Sequence, residues 1–327
     1  MQIEFPGFCD LQVNGFAGVD FNVPCTPEQL QHAVAALRAT GVTQFLPTII
    51  TSSREYFASC VQPLLHFADP AIRGIHLEGP YISPQDGARG AHPLAHVCEA
   101  SLDDFKYRQE AAQGHIVLVT LAPEVPNALA LIEYLLRENI RVAIGHTAAA
   151  PEQIRDAVKA GATLSTHLGN GCANLLPRHP NFIWEQLAAD ELHASLIVDG
   201  HHLPPATVKS MIRAKTPART ILITDAMAAA GGPPGNYELN GEIVELDAVG
   251  RVAQPGQPWL AGSALTLDVA VANTVKFAGV ALEAAWLMAS VQPAAYLGLP
   301  PAGRVRVDWD TPGGRFKTLQ VIEAQPT

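Results

Sequence analysis

Charge is scarce in this chain. Only 16% of its 327 residues are Asp, Glu, Lys or Arg, the formal net charge is -10, and no basic run occurs anywhere. That balance argues against a nucleic-acid or anionic-membrane surface, and an anionic ligand would need a local cationic pocket. Long apolar runs are missing too. No stretch reaches membrane-spanning length, and the opening MQIEFPGFCDLQVNG has no basic segment followed by an apolar one, so the expectation is a cytoplasmic protein. Cysteine is sparse and odd in number: Cys9, Cys25, Cys60, Cys98 and Cys172 are scattered and form no CxxC pair. A disulfide framework and a thiolate zinc site are both disfavoured by that usage.

What is present is 48% hydrophobic sequence, enough to bury the core of one large α/β domain or two smaller ones. Eight short apolar strand candidates recur along the chain: GFCDLQV, VTQFLPTII, RGIHLEGP, HIVLVTLAPE, RVAIGHT, TLSTH, SLIVDG and TILITDA. Helix candidates separate most of them. The first has Thr26 as N-cap, Pro27 in its first turn, Gln29 as capping-box partner and Gly41 as its stop. Eight βα units in order predict a (β/α)8 barrel over 1–302. A β excursion is expected at 236–262, where Asn240-Gly241 signals a hairpin turn. Residues 303–327 read as two strands of a reduced accessory β element, and AMAAAGGPPGN after Asp225 has the composition of a mobile flap.

The strand ends carry the chemistry. Glu78, His146, His167 and Asp225 close strands three, five, six and eight, and a barrel gathers such residues on one rim. One histidine alone is more often a core residue than a ligand. A pair at equivalent strand ends reverses that weighting. Two imidazoles and a carboxylate match a catalytic zinc-type site with a position left for water, and the remaining carboxylate is free to move protons. His76 shares a strand face with Glu78 but is expected to be packed support. His66, His96, His115, His179 and His193 occupy no strand end and are assigned no role.

PGFCDLQVNG, HLEGPYIS, GAHP, LAPE, GHTAA, THLGN, VDGHH, ITDAM and AGSALT, in that order, resemble the N-acetylglucosamine-6-phosphate deacetylases of the amidohydrolase superfamily. The resemblance runs from about Pro6 to beyond Thr266. It implies that Glu78, His146 and His167 bind one divalent metal ion, zinc first and iron, cobalt or manganese as alternatives. It implies Asp225 as general base on the attacking water and then as acid toward the amine, and His92 of GAHP as a donor to the acetamide carbonyl. Phosphate and sugar contacts are implied for Asn170, Gly171, Arg178 and His202, with His201 the less favoured of its pair. Leu260 of WLAGS is implied to line the acyl pocket. Arg178 is implied to reach the site of a neighbouring subunit, hence a homodimer acting on a small amino-sugar phosphate.

Three departures stand beside this. Gln12 and Asn14 occupy the places where many amidohydrolases carry His-x-His for a second metal, which favours a single ion. Relatives carry further residues ahead of the PGF motif that build part of an accessory sheet, so that sheet is expected to be truncated or rebuilt from the C-terminal strands. HLGNGC replaces HLYNAM, so Gly169 and Gly171 are expected to widen the pocket or change the substrate. A related N-acyl sugar phosphate, such as N-acetylgalactosamine 6-phosphate, is therefore an alternative. A non-catalytic sugar-phosphate-binding barrel, a metal-free lyase or isomerase, and a deaminase are more distant ones.

Overall fold

The computed structural model describes residues 2–173, 175–239, 242–257 and 259–323. Eight strands run in parallel: Phe8–Val13, Val42–Ile50, Ile75–Glu78, Ile116–Leu121, Arg141–Ile144, Leu164–Ser165, His193–Ile197 and Thr220–Ile223. Each pairs with its neighbour in chain order. The first and last meet through a parallel bridge between Val13 and Ala226, and Asp225 N–H donates to Gln12 O at 3.0 Å. The result is a (β/α)8 barrel whose strand C-termini share one rim.

Local chemistry explains the elements. The helix Pro27–Ala39 starts at Thr26, and its capping box with Gln29 forms as the motif predicts. It turns Leu30, Ala33, Val34 and Leu37 to the core at helical spacing. In the first barrel strand all six residues are buried. Its alternation places Asp10, Gln12 and, beyond the strand end, Asn14 on one face, and hydrogen bonds carry them toward groups across the barrel. Asp10 accepts from Thr224 Oγ1 at 2.6 Å, tying the first and last strands together, while burial pushes its carboxyl up to about 7.

The long loop after Glu78 carries one short 3-10 turn, Leu94–His96. A helix, Phe182–Ala188, follows the sixth strand where the sequence suggested none; Asn181 caps it by accepting from Ile183 and Trp184 N–H. The excursion after Asp225 is a four-stranded antiparallel sheet, Gly235–Leu239, Glu242–Leu246, Arg251–Ala253 and Leu260–Ser263. Its Asn240-Gly241 turn lies outside the described residues.

The accessory sheet departs from the sequence reading. The strands Arg304–Asp310 and Arg315–Glu323 do pair, but Gln2–Pro6 joins them antiparallel as a third strand. Trp286 explains the attachment. It is fully buried, stacks on Phe5 at 4.6 Å, packs tilted against Phe8 at 4.2 Å, and donates from Nε1 to Pro6 O at 2.8 Å. Burying such a ring contributes about 1.5–3 kcal/mol, so this aromatic cluster, together with buried Val305 and Val307, packs the accessory sheet onto the barrel. Among the described residues, no helix is long and apolar enough to cross a membrane.

Candidate active site

Glu78 ends the third strand and is buried. Gly79 follows at φ +78°, where an added Cβ would overlap Thr51 Oγ1, so only glycine fits that turn. His146, His167 and Asp225 each lie two residues past their strands, and all three are left-handed, at φ +49°, +30° and +50°. Such backbone costs about 1–2 kcal/mol per non-glycine residue, a strain that clusters at functional sites. It turns three side chains inward over the mouth.

There they converge. Glu78 Oε1 is 3.1 Å from both His146 Nε2 and His167 Nε2, and the two Nε2 atoms are 3.1 Å apart. Corners about 3.1 Å apart lie about 1.8 Å from their common centre, so an ion about 2.0–2.1 Å from each donor fits just above that triangle. His146 Nδ1 is 3.0 Å from Ala88 O, which fixes that nitrogen as the N–H and leaves Nε2 its lone pair. His167 is held from behind, its backbone N–H donating to Ser195 Oγ at 2.8 Å. Burial alone would raise the Glu78 carboxyl, but the hydrogen bond and charge of His146, and then the hydrogen bond of His167, hold it well below the usual range. His167 is shifted upward: its burial is outweighed by Glu78 and Asp225. A carboxylate oxygen and two imidazole nitrogens this close together offer the donor set a divalent cation takes, which would displace any proton the imidazoles hold against Glu78.

His92 reaches the site from the long third loop. Its Nδ1 is 2.8 Å from Thr51 Oγ1 and accepts from Thr51 N–H at 3.4 Å, and its Nε2 is 3.8 Å from Glu78 Oε2. Burial, followed by the charge of His146, pushes it down to about 3, so it is a neutral donor through Nε2. Glu78, His92 and His146 also offer ligand atoms within 4.8 Å of one another. The triangle with His167 is tighter, and Thr51 ties back the His92 ring, so His167 is the better third donor.

Asp225 stands across the mouth with Oδ1 accepting from Asn14 Nδ2 at 2.7 Å. Burial, then the charge of Glu78, pushes its carboxyl up to about 6. A cavity of about 320 Å³ opens above these groups, lined by Asn170, Gly171, His202 and Leu260 among others. His202 Nδ1 is 2.6 Å from Asp199 Oδ2, which leaves its Nε2 for the cavity. His201 turns instead to Val249 O, 3.1 Å away on the excursion.

Gly169 is not in the lining. A Cβ there would lie 3.0 Å from Met211 Cε and 3.2 Å from Leu203 Cδ2, so it packs outward and does not widen the pocket. Gly171 does line the cavity, yet a Cβ would sit 2.9 Å from His146 Nδ1, so it backs the imidazoles. Arg178 is exposed and outside the lining. His76 is buried between Thr48 Oγ1 at 3.3 Å and Thr120 Oγ1 at 2.8 Å, the packed support expected of it.

Two residues do more than the sequence reading assigned to them. Glu124 of LAPE accepts from Thr147 Oγ1 at 2.5 Å and Ala148 N–H at 2.6 Å, clamping the turn that holds His146. Gln12 Nε2 donates to Glu78 Oε1 at 2.8 Å. The signals for Glu124 were its place in the LAPE motif and just past the end of strand four.

A parallel barrel with two imidazoles and a carboxylate in one triangle, and a second carboxylate facing them, is the arrangement of a metal-dependent hydrolase. No family model matches the chain. Among curated proteins it is 36% identical over 299 residues to an N-acetylgalactosamine-6-phosphate deacetylase of Escherichia coli O157:H7, covering 90% of this chain and 78% of that protein. It is 35% identical over 311 residues to an N-acetylglucosamine-6-phosphate deacetylase of Lysinibacillus sphaericus, covering 93% and 79%. Among solved structures it matches the Mycobacterium smegmatis N-acetyl-D-glucosamine-6-phosphate deacetylase, a mutant in complex with N-acetyl-D-glucosamine-6-phosphate. That match has TM-score 0.89 and 31% identity and covers 98% of this chain and 86% of that one. The chain belongs to the N-acetylglucosamine-6-phosphate deacetylase family of the amidohydrolase superfamily.

Proposed function

We propose that this protein hydrolyses the acetamide of N-acetylglucosamine 6-phosphate to acetate and glucosamine 6-phosphate. The 3.1 Å donor triangle of Glu78, His146 and His167, faced by Asp225, is the observation that carries the reading. Those three residues would hold one divalent ion per chain, zinc by donor chemistry. When bound, the ion polarises the amide carbonyl and lowers the pKa of water from about 16 toward about 7.

The remaining steps belong to side chains. Asp225 takes a proton from the attacking water as the new C–O bond forms. It then delivers that proton to the nitrogen as the C–N bond breaks, so the amine leaves neutral. His92 Nε2–H donates to the carbonyl oxygen as negative charge develops there. His202, Asn170 and the Gly171 backbone orient the sugar phosphate, and Leu260 packs against the acyl methyl. Arg178 meets the phosphate of a partner subunit in a homodimer. Its exposure supports this, as do Leu175, 91% exposed, and Trp184, 53% exposed, in the same segment. The setting proposed is the cytoplasm, where the five free thiols persist.

The galactosamine epimer is the second reading, favoured by the likeness to the Escherichia coli protein. Acetate release from the two 6-phosphates and from unphosphorylated N-acetylglucosamine tests both. The zinc-loaded protein should prefer the glucosamine epimer and require the phosphate. Preference for the other epimer selects the second reading, and no acetate from any of them overturns both.

A further inference from the structure

Two amides at the end of the first barrel strand each reach a different carboxylate. Gln12 Nε2 donates to Glu78 Oε1 at 2.8 Å, the same oxygen that forms one corner of the donor triangle. Asn14 Nδ2 donates to Asp225 Oδ1 at 2.7 Å. The amide orientations follow from chemistry, because an ionised carboxylate only accepts and each carboxamide must face it with its NH2 group. Backbone bonds reinforce the pairing: Asp225 N–H donates to Gln12 O at 3.0 Å, and Asn14 N–H donates to Ala226 O at 2.8 Å. Both residues come from one face of the strand Phe8–Val13 and its extension, two positions apart.

We propose that Gln12 and Asn14 are positioning residues with separate duties: Gln12 sets Glu78 Oε1 and with it the metal-donor triangle, whereas Asn14 immobilises Asp225 by Oδ1 so that Oδ2 alone transfers protons. The physical case is that Glu78 and Asp225 are two carboxylates sharing one mouth, and among the described residues no lysine or arginine pairs with either, so the imidazoles and these amides are their neighbours. An uncharged N–H donor steadies each without adding a charge that would compete with the bound ion. Because Asp225 has a left-handed backbone, its side-chain direction depends on this bond and on the backbone bonds from Asp225 N–H to Gln12 O and from Asn14 N–H to Ala226 O. The Asn14 half of the inference rests on the deacetylase reading of Asp225; the Gln12 half does not.

The test compares Gln12→Met and Asn14→Leu, which keep side-chain size and lose the donor. The metal-free proteins are loaded with Co2+ alone, and visible absorption, Co2+ titration and acetate release are then measured. Gln12→Met should shift the cobalt bands and weaken Co2+ binding roughly 10–100-fold, the usual effect of losing a partner of a ligand. Asn14→Leu should leave bands and Co2+ affinity within about twofold of the parent, yet lower kcat about 100-fold with KM little changed, the signature of a misplaced reacting group. If thermal melts show Asn14→Leu to be unfolded, Asn14→Ala removes the donor without adding bulk or charge and must give the same kcat-only loss. Cobalt bands unmoved in Gln12→Met, or a cobalt affinity that falls equally in both variants, overturns the division of duties, as does an Asn14 variant with parental kcat. A parent that releases no acetate sinks the deacetylase reading alone, and the cobalt comparison still decides the Gln12 half.

Discussion

Replacing Asp225 by Asn should cost turnover and, in the metal-free protein, add stability. The proton shuttle is lost, and a positioned acid–base group contributes about 10²–10⁴-fold, or about 2.7–5.4 kcal/mol of barrel-mouth catalysis. The Asn14 hydrogen bond survives, because a carboxamide oxygen at position 225 still accepts it, so a loss of activity reports chemistry rather than misplacement. Stability moves the other way. Burial and the charge of Glu78 raise the Asp225 carboxyl from 3.8 to about 6. At 1.36 kcal/mol per unit that is on the order of 3 kcal/mol. The raised value means that the folded state binds this proton longer than the unfolded state, so stability is lost as pH climbs from about 4 to about 6 and stays lost above that. Asn carries no such penalty. Urea unfolding of both metal-free proteins should show a small gap at pH 4.5 and the variant ahead by up to about 3 kcal/mol at pH 8, while acetate release falls at least 100-fold. A variant that keeps a tenth of parental activity, or is the less stable protein at pH 8, would refute the reasoning.

Four further outcomes are expected. Chelation should abolish acetate release, one equivalent of Zn2+ per chain should restore it, and the loaded protein should melt higher than the metal-free one; full recovery without metal would contradict this. His92→Ala should lower kcat about 10²–10³-fold with little change in KM, in steady-state assays, as loss of an oxyanion donor does. Arg178→Ala should raise KM for the 6-phosphate roughly 10–100-fold, the worth of a charge-assisted hydrogen bond. Mixing it with Asp225→Asn should restore activity in hybrid dimers if the arginine serves the partner's site. Glu124→Ala frees Thr147 and Ala148, and Zn2+ titration should show metal affinity roughly 10–100-fold weaker, although Glu124 touches no ligand atom.

The residues legible in the sequence were those whose position along a strand is itself the information. Glu78, His146, His167 and Asp225 end apolar runs, and the barrel converts that into a common rim, so periodicity alone was enough to group them. Asn170, His202 and Leu260 came through ordered motifs and do line the cavity. Gly169 misled because sequence adjacency to Asn170 says nothing about direction: at φ +94° the chain turns it toward Met211. The strand Gln2–Pro6 was passed over because its pairing partner lies some 300 residues away, at Arg304–Asp310.

The sequence by itself determined the eight βα units, the helix caps and the strand-end donors, because propensity, capping and hydrophobic period act over a few neighbouring residues. Tertiary structure alone decided which donor meets which. The triangle of Glu78, His146 and His167 spans strands three, five and six, and the hydrogen bonds that Gln12 and Asn14 donate to Glu78 and Asp225 join residues 66 and 211 positions apart. Such contacts follow from barrel closure and from left-handed turns at the rim, whose directions no short window of sequence encodes.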